Sequence, residues 1–283
     1  MRSRIKSKTI ADVFVSMTLL LSFSLVLSPA KSTEHPRLLY ATAEAGTKLV
    51  AFSLENKSVR LVGDTGFPLS LALAPCGPGP EDAQRDEDRD EGRRRGVAYT
   101  ITNTFNPHQA QLATVDLRTG AATRVGSPLG QALSIMGMTC SPDGTLYAIG
   151  QPNPMDPDFN SLYVVSRETG LASRIGSTGV SASMGGFLMA LAFAPDGTLY
   201  GTSVSTLFRI DRFTGEAMKV VDFTGVNSVM GLAIDKDCNF YLADFVPQSS
   251  IYALDVHTGM ATPILNTGLA FVHNIAFKAP PRE

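Results

Sequence analysis

A repeated unit of 44 to 50 residues constrains the fold of this chain more than any other feature of its sequence. The segment CSPDGTLYAIG begins at Cys140, APDGTLYGTS begins at Ala194, and a weaker copy, DKDCNFYLAD, begins at Asp235. A second repeated element carries a Thr-Gly pair, found at residues 119–120, 169–170, 214–215 and 258–259. The spacings of 50, 45 and 44 residues between these pairs match the length of one β-propeller blade.

Each unit divides into four short strands joined by turns. In the best-preserved copy the inner strand MALAFAP (189–195) is followed by TLYGTS, TLFRID and EAMKVV, and Pro-Asp-Gly and Thr-Gly form turns in which Gly accepts a positive φ. The same division yields five strands of each type. The inner strands begin near Leu69, Ile135, Leu188, Val229 and Val272.

The two ends of the repeat region complement each other. The chain enters with a second strand at Leu38 and finishes with an inner strand that includes residues 274–277. We therefore predict one all-β domain over residues 31–283, a single β-propeller of five four-stranded blades closed by N-terminal strands that complete the last blade. Ring closure leaves no open sheet edge between the chain ends, whereas an open solenoid, the alternative, leaves both terminal sheets incomplete.

The N-terminal residues have the pattern of a secretory signal. Basic residues from Arg2 to Lys8 precede an uncharged apolar run over 13–27, and Ser28-Pro29-Ala30 supplies small residues for cleavage. The apolar run has about 15 residues, fewer than the roughly 20 of a membrane span. We expect a signal peptide over residues 1–30, a secreted or periplasmic protein and no stable membrane insertion after its removal. The alternative is an uncleaved anchor.

Charge narrows the possible partners. The chain has 24 basic and 26 acidic residues, and loss of the four basic and one acidic residue of the signal leaves a net charge of −5. An acidic protein is poorly matched to nucleic acid, whose binding rests on Lys and Arg contacts with phosphates. We expect a protein or small-molecule partner, no nucleic acid, and a monomer.

Three cysteines, Cys76, Cys140 and Cys238, leave at least one thiol unpaired within the chain. Their spacing matches no zinc motif. We interpret at least two of them as small buried residues in or beside strands, and a disulfide between two of the three stays open.

Residues 77–96 interrupt the first complete blade where other blades have only a Pro-Asp-Gly turn. The insert holds seven acidic residues, five arginines and no large apolar residue, so it buries too little surface to offset the entropy of ordering, and we predict a disordered loop. Asp86, Asp88 and Asp90 alternate as calcium ligands do, but the Gly and Glu of an EF-hand loop are missing. We assign no metal site and expect no cofactor, with a divalent cation such as calcium left open.

The repeats resemble those of the exported bacterial propellers of the NHL, YVTN and gluconolactonase-like superfamily. Residues 36–278 carry the resemblance, and CNFYLAD at Cys238 is the segment most similar to an NHL repeat. The resemblance implies architecture only, because such families include binding modules, scaffolds, lactonases and lyases.

The loops offer one group of candidate site residues. All Pro-Asp-Gly and Thr-Gly turns fall on one face of the ring, the turn face. The loops of the opposite, loop-rich face vary most, and variable loops on a rigid scaffold usually carry binding. The longest loop offers the ligand-binding candidates Asn153, Asp156, Asp158 and Asn160. The alternative is a proline-rich polar loop without a ligand.

The axis offers a second group. Aligning the inner strands places Leu69, Met136, Met189, Met230 and His273 in one register, and Ser70, Gly137, Ala190, Gly231 and Asn274 in the next. His273 and Asn274 are the polar break in these rings, and Asp244 ends a neighbouring strand on the same face. All three are ligand-binding candidates, and Asp244 and His273 are candidate catalytic residues, since an Asp–His pair can be a general base. The alternative is a histidine whose hydrogen bonds are satisfied within the fold.

We interpret the protein as a non-enzymatic exported binding module or interaction scaffold that uses its loop-rich face. The alternative is a metal-dependent hydrolase or lactonase with its site at the channel mouth, although no G-x-S-x-G or H-E-x-x-H pattern occurs. Convergent carboxylate or amide oxygens in an axial pocket would favour the hydrolase, and an axis filled by methionine would favour the binding module.

Overall fold

The computed structural model describes residues 38–68, 70–77, 97–104, 106, 108–130, 133–151, 159–181 and 186–278. The predicted signal peptide (1–30) and residues 78–96 of the charged insert lie outside these ranges, so both stay predictions. Over the described residues, twenty strands form five four-stranded antiparallel sheets. This part of the chain contains no helix long and apolar enough to cross a membrane.

The first three described strands are β1 (Leu38–Ala43), β2 (Lys48–Ser53) and β3 (Ser58–Asp64). Four blades follow, each running from an inner to an outer strand. Blade 1 comprises β4 (Ala74–Pro75), β5 (Ala98–Thr102), β6 (Gln111–Val115) and β7 (Ala122–Pro128), and blade 2 comprises β8 (Ser134–Cys140), β9 (Leu146–Gln151), β10 (Ser161–Val165) and β11 (Ala172–Ser177). Blade 3 comprises β12 (Ala190–Phe193), β13 (Leu199–Thr202), β14 (Thr206–Ile210) and β15 (Ala217–Asp222), and blade 4 comprises β16 (Val229–Ile234), β17 (Phe240–Asp244), β18 (Ser250–Leu254) and β19 (Ala261–Asn266).

The last strand, β20 (His273–Phe277), closes the ring. It pairs with β1, and the sheet order β20-β1-β2-β3 forms blade 5. In this pairing Leu39 lies opposite Phe277 and Ala41 lies opposite Ile275. The inner strands contact one another in the closed order β4, β8, β12, β16 and β20. The predicted five-bladed propeller, completed by N-terminal strands in its last blade, is confirmed.

A tyrosine in the second strand of every blade sets the register of the inner strand. The opposed pairs are Tyr99–Ala74, Tyr147–Thr139, Tyr200–Ala192, Tyr241–Ala233 and Tyr40–Ala276. Edge-to-face ring contacts then join successive blades, such as Tyr200 with Phe240 at 5.1 Å between ring centroids. The core therefore lies between the blades, where each sheet face packs on the next.

The Thr-Gly turns also hold neighbouring blades together. Gly63, Gly126 and Gly176 of three outer strands lie against the Thr carbonyl of the next blade's turn, and a Cβ on Gly176 would lie 2.0 Å from the Thr214 oxygen. The backbone N–H of Ala217 donates to the carbonyl of Thr178 in the preceding blade at 3.0 Å. An equivalent bond recurs at three further blade junctions, at Ala122–Thr65, Ala172–Leu129 and Ala261–Thr224.

The inner strand of blade 1 differs from the prediction. Its ladder with β5 includes only Ala74 and Pro75 instead of beginning near Leu69. Pro75 has no N–H for the ladder, and the Thr100 hydroxyl donates to the Ala72 carbonyl at 2.5 Å. In the other blades the two axial residues lie three and two positions before the residue that pairs with the tyrosine. In blade 1 that residue is Ala74, so the axial residues are Leu71 and Ala72, and the predicted ones, Leu69 and Ser70, are wrong by two positions.

A disulfide bond joins Cys76 and Cys140. Cys76 follows the inner strand of blade 1, and Cys140 ends the inner strand of blade 2, so ring formation brings them together with a Cα separation of 5.3 Å. Cys76 is buried, Cys140 is half-buried and Cys238 is exposed, so the prediction that at least two of the three are buried holds for Cys76 alone. The pairing links two blades, and Cys238 is left as an exposed free thiol.

Candidate functional site

Apolar side chains fill the axis of the ring. Leu71, Met136 and Met189 are 2%, 5% and 7% exposed and form one cluster, against which Val204 and Met230 pack. Met136 and Met230 are each skipped in the pairing of their strand, as the extra residue of a β-bulge. A bulge re-aims a side chain, and these two bulges lie in the strands that surround the axis. The methionines therefore act as core residues.

His273 and Asn274 occupy the blade 5 positions of the two axial rings, and both are buried. Nδ1 of His273 lies 2.8 Å from the carbonyl oxygen of Leu71, and the Asn274 amide donates to the carbonyl of Met136 at 2.7 Å. Nδ1 also lies 3.0 Å from the amide nitrogen of Asn274, which only donates, whereas the carbonyl oxygen of Leu71 only accepts. The shorter contact, to Leu71, favours a proton on Nδ1, which leaves Nε2 as an unprotonated acceptor. In the described part of the chain, Nε2 has no hydrogen-bond partner.

The surroundings of His273 favour its neutral form. Burial lowers the pKa of His273 to about 4, and the hydrogen bond to Leu71 opposes this only in part. The ring of Phe245 packs edge-on against the imidazole, with 5.7 Å between centroids. A general base works best with a pKa near the working pH, so an imidazole held near pKa 4 is a weak base at neutral pH.

Asp244 ends β17 on the loop-rich face, but its carboxylate is engaged within blade 4. Oδ1 accepts the backbone N–H of Ser250 at 2.6 Å, and Oδ2 accepts the hydroxyl of Tyr252 at 3.0 Å. Over the described ranges, no hydrogen bond or ion pair joins Asp244 to His273. The predicted Asp–His pair is therefore not formed, because donors of its own blade hold Asp244 and the Leu71 carbonyl holds His273.

Asn160 is buried and has a positive φ of 56°. Its amide nitrogen donates to the carbonyls of Val180 and Gly186 at 3.0 and 2.9 Å. Its amide oxygen accepts from the Leu188 N–H at 2.9 Å and from Gln151 Nε2 at 3.2 Å. An amide has two N–H donors and two lone pairs, so Asn160 ties its loop to the crossover into blade 3 and has no polar group free for a ligand.

Asn153, Asp156 and Asp158 lie outside the described residues, so their binding role stays a prediction. A ligand-binding role for Asn274 also stays a prediction. Within the described ranges, no group of three or more His, Cys, Asp or Glu side chains is placed to hold a metal ion.

Two phenylalanine pairs on the loop-rich face were not predicted from the sequence. Phe245, in the loop after β17, lies 5.0 Å from Phe271 in the crossover into β20, measured between ring centroids. Phe159, before β10, lies 4.7 Å from Phe187 in the crossover into β12. Phe187 and Phe271 are 40% and 37% exposed. The members of each pair are distant in the chain and belong to no repeat motif, so the sequence carries no signal for them.

Buried threonines anchor the loops that carry these rings. The Thr178 hydroxyl donates to the Asn160 carbonyl, and the Thr267 hydroxyl donates to the Ser249 carbonyl, both at 2.6 Å. Thr65 makes the equivalent bond to Gly46 at 3.1 Å. All three threonines precede a glycine at the end of an outer strand. This second Thr-Gly repeat is a signal by which sequence reasoning could have found the anchors.

Carboxylates of the turn face act locally. Asp211 accepts the backbone N–H groups of Phe213 and Thr214 at 2.7 and 3.1 Å, and Asp255 accepts that of His257 at 2.9 Å. The N–H of Phe213, followed by that of Thr214, lowers the pKa of Asp211. These aspartates are exposed, but their oxygens stabilise the turns that contain them.

Comparisons with known proteins support the architecture and assign no activity. No protein-family model and no curated protein matches the sequence. A structure of a nidogen/laminin complex is 12% identical, with a TM-score of 0.53, and the match covers 87% of this chain and 99% of that chain. A gluconolactonase from Xanthomonas campestris is 14% identical, with a TM-score of 0.50 and coverage of 85% and 75%.

A protein of unknown function from Bacteroides thetaiotaomicron is 15% identical, with a TM-score of 0.50. The match covers 86% of this chain but 65% of that one, so this chain spans slightly less than two thirds of its length. At such identities a likeness shows the fold alone. The resemblance to NHL- and gluconolactonase-like propellers is thus confirmed as a resemblance of fold, and the chain is a β-propeller.

Proposed function

We propose that the protein is a non-enzymatic binding module that recognises a protein partner through its loop-rich face. The half-exposed pairs Phe159–Phe187 and Phe245–Phe271 carry the proposal. Aromatic side chains are enriched at protein interfaces, because they bury a large area with few rotatable bonds. Both pairs sit on loops anchored to a rigid ring, which lowers the entropy lost on binding. Because the N-terminal pattern predicts export, we place the partner outside the cytoplasm.

The filled axis argues against the alternative, a metal-dependent hydrolase or lactonase. A divalent ion there would need several oxygen ligands, but Leu71, Met136 and Met189 occupy this position. Asp244 is held by Ser250 and Tyr252. The single feature that favours a hydrolase is Nε2 of His273, a buried acceptor without a partner in the described residues.

Peptide selection tests the proposed surface. Random peptides displayed on phage are selected against the immobilised protein, and the selected peptides are titrated by calorimetry. We expect the double variant Phe187→Ser/Phe271→Ser to bind these peptides at least about tenfold more weakly, as for aromatic hot spots. Met260→Ser, which alters a methionine 53% exposed on the turn face, is the matched control and should leave affinity unchanged. Absence of binders, or equal loss in both variants, would contradict the proposal.

A hydrolysis assay tests the alternative in the same protein. The probe is a simple aldonolactone with added calcium or zinc. We expect no metal-dependent rate above that of His273→Ala. A metal-dependent rate that disappears in this variant, while its melting temperature shows an intact fold, would support the hydrolase and overturn the binding module.

A further inference from the structure

The outer strand of blade 3 differs from the other four outer strands. Each of those contains a glycine or a proline, namely Gly63 in β3, Gly126 and Pro128 in β7, Gly176 in β11 and Pro263 in β19. Such residues weaken or block pairing with a further strand. β15 has the sequence AMKVVD and contains neither. Within its sheet β15 has a neighbour on one side only, so it is an open edge that lacks these two residue types. A β-bulge also protects an edge, but all five outer strands carry one, so it does not distinguish β15.

Blade 3 also exposes apolar side chains along this edge. Phe213, Met218 and Val220 are 76%, 66% and 43% exposed. At the register of Phe213 the other blades carry Arg118, Glu168, His257 and Glu55, and at that of Met218 they carry Thr123, Ser173, Thr262 and Arg60. Three of those edges each expose one apolar side chain, namely Leu61, Leu171 and Met260, whereas blade 3 exposes three and therefore favours coverage most.

The charges of β15 indicate which partner strand is complementary to it. Lys219 and Asp222 form an ion pair. In the pairing with β14, Val220 is the extra residue of a bulge, so Lys219, Val221 and Asp222 are successive paired positions. Side chains alternate between the two faces along paired positions, so Lys219 and Asp222 lie on the same face of the sheet. The segment Lys219-Val220-Val221-Asp222 is complementary to itself in antiparallel orientation. With a two-fold axis between Val220 and Val221, Lys219 lies opposite Asp222 of a second copy, and valine lies opposite valine. Opposite charges and β-branched pairs across strands are stabilising.

No other outer strand has this property. At the register of Lys219 the others carry Arg124, Arg174, Pro263 and Leu61, and at the register of Asp222 they carry Pro128, Ser177, Asn266 and Asp64. At these two registers β7 and β11 each carry an arginine but no acidic residue. The complementarity is specific to blade 3.

We propose that β15 pairs antiparallel with β15 of a second copy, which joins two blade 3 sheets across a two-fold axis. Both copies use the same surface, as in an isologous dimer. Phe213 and Met218 extend the apolar contact beyond the paired residues. The edge is short, so we expect a weak dimer that depends on concentration, in place of the monomer predicted from the sequence.

Sedimentation velocity on the purified protein, from about 1 µM to about 1 mM, tests the proposal. Lys219→Asp and Asp222→Lys each put like charges opposite one another twice in the dimer, and each should weaken association by about tenfold. The double variant Lys219→Asp/Asp222→Lys restores opposite charges, so its dimer dissociation constant should lie within about threefold of the wild-type value. Val220→Pro should abolish association.

Arg124→Asp, at the register of Lys219 in β7, is the matched control and should change nothing. All these positions are exposed, and unchanged melting temperatures would show that the variants fold. A wild-type protein that stays monomeric over the whole range overturns the proposal. The proposal is also overturned if neither single charge reversal raises the dimer dissociation constant, or if the double variant does not return it to the wild-type range.

Discussion

The turn face and the loop-rich face of the propeller use polar side chains in different ways. On the turn face, Asp211 and Asp255 accept backbone N–H groups two or three residues ahead. On the loop-rich face, His273 bonds the Leu71 carbonyl and Asn274 bonds that of Met136, across more than a hundred residues of chain. The Thr-Gly turns are therefore specified by local chemistry, to which Arg167–Tyr99 and Arg212–Asp143 add contacts between segments. The polar interior near the axis forms only when the ring closes.

The largest expected effect comes from the one covalent long-range link between the described blades. The double variant Cys76→Ala/Cys140→Ala should lose about 2–4 kcal/mol of unfolding free energy, because the disulfide closes a long loop in the unfolded chain. Denaturant unfolding measures the loss, and Cys238→Ala is the control that keeps the disulfide. If reduction of the wild-type protein leaves its stability unchanged, blades 1 and 2 are held without this bond.

A smaller effect tests whether the Thr-Gly turns stabilise contacts between blades. Gly176→Ala should cost about 1–3 kcal/mol, because its Cβ would overlap the Thr214 carbonyl and force the backbones apart. Gly179→Ala is the comparison, since its positive φ of 70° is strained but open space surrounds it. The cost there should be smaller, about 1 kcal/mol. Equal thermal destabilisation in the two variants would count against a role between blades.

The smallest effect is a gain of stability on the turn face. Cys238 has a positive φ of 60° at the turn position where other blades have Gly144 and Gly197. Cys238→Gly should therefore raise the unfolding free energy by about 0.5–1 kcal/mol, since glycine adopts this conformation without strain. Cys238→Ala keeps the strain and should bring no gain. A loss in the glycine variant would show that the Cys238 side chain makes a favourable contact.

Local chemistry also explains how much of the fold the sequence could predict. Turn residues bound the strands, so β1 and β16 begin at the predicted residues, Leu38 and Val229. The predicted register of the inner strand was wrong in blade 1, where residues 77–96 replace the short turn that guides the alignment of other inner strands. Without that turn as a reference, the alignment assigned to Leu69 the axial position that Leu71 occupies.

The site was harder to predict because its decisive contacts are between distant segments. The sequence placed Asp244 and His273 on the correct face but showed neither the Tyr252 hydroxyl nor the Leu71 carbonyl that hold them apart. Asn160 looked available because three of its four partners come from the crossover into blade 3, and the fourth, Gln151, ends β9. Polar residue types reveal a possible site, and their partners, visible only in the fold, decide whether it is free.

His273 gives the most direct test of whether the axis is a packed interior or a reactive site. Burial lowers its pKa to about 4, whereas an unfolded histidine takes up its proton near 6.5. Between these values the unfolded chain binds more protons than the folded one, so stability is lost as pH falls through this window. His273→Leu should remove that dependence, because leucine does not titrate.

The measurement is an NMR titration of the imidazole nitrogens in the ¹⁵N-labelled protein, with His273→Leu as the variant that assigns the His273 signals. We expect His273 to stay neutral and protonated at Nδ1 down to about pH 4, without response to added calcium or zinc. A midpoint near pH 6.5, or a shift of the Nε2 signal on metal addition, would contradict a packed axis and point to a site that ligands reach.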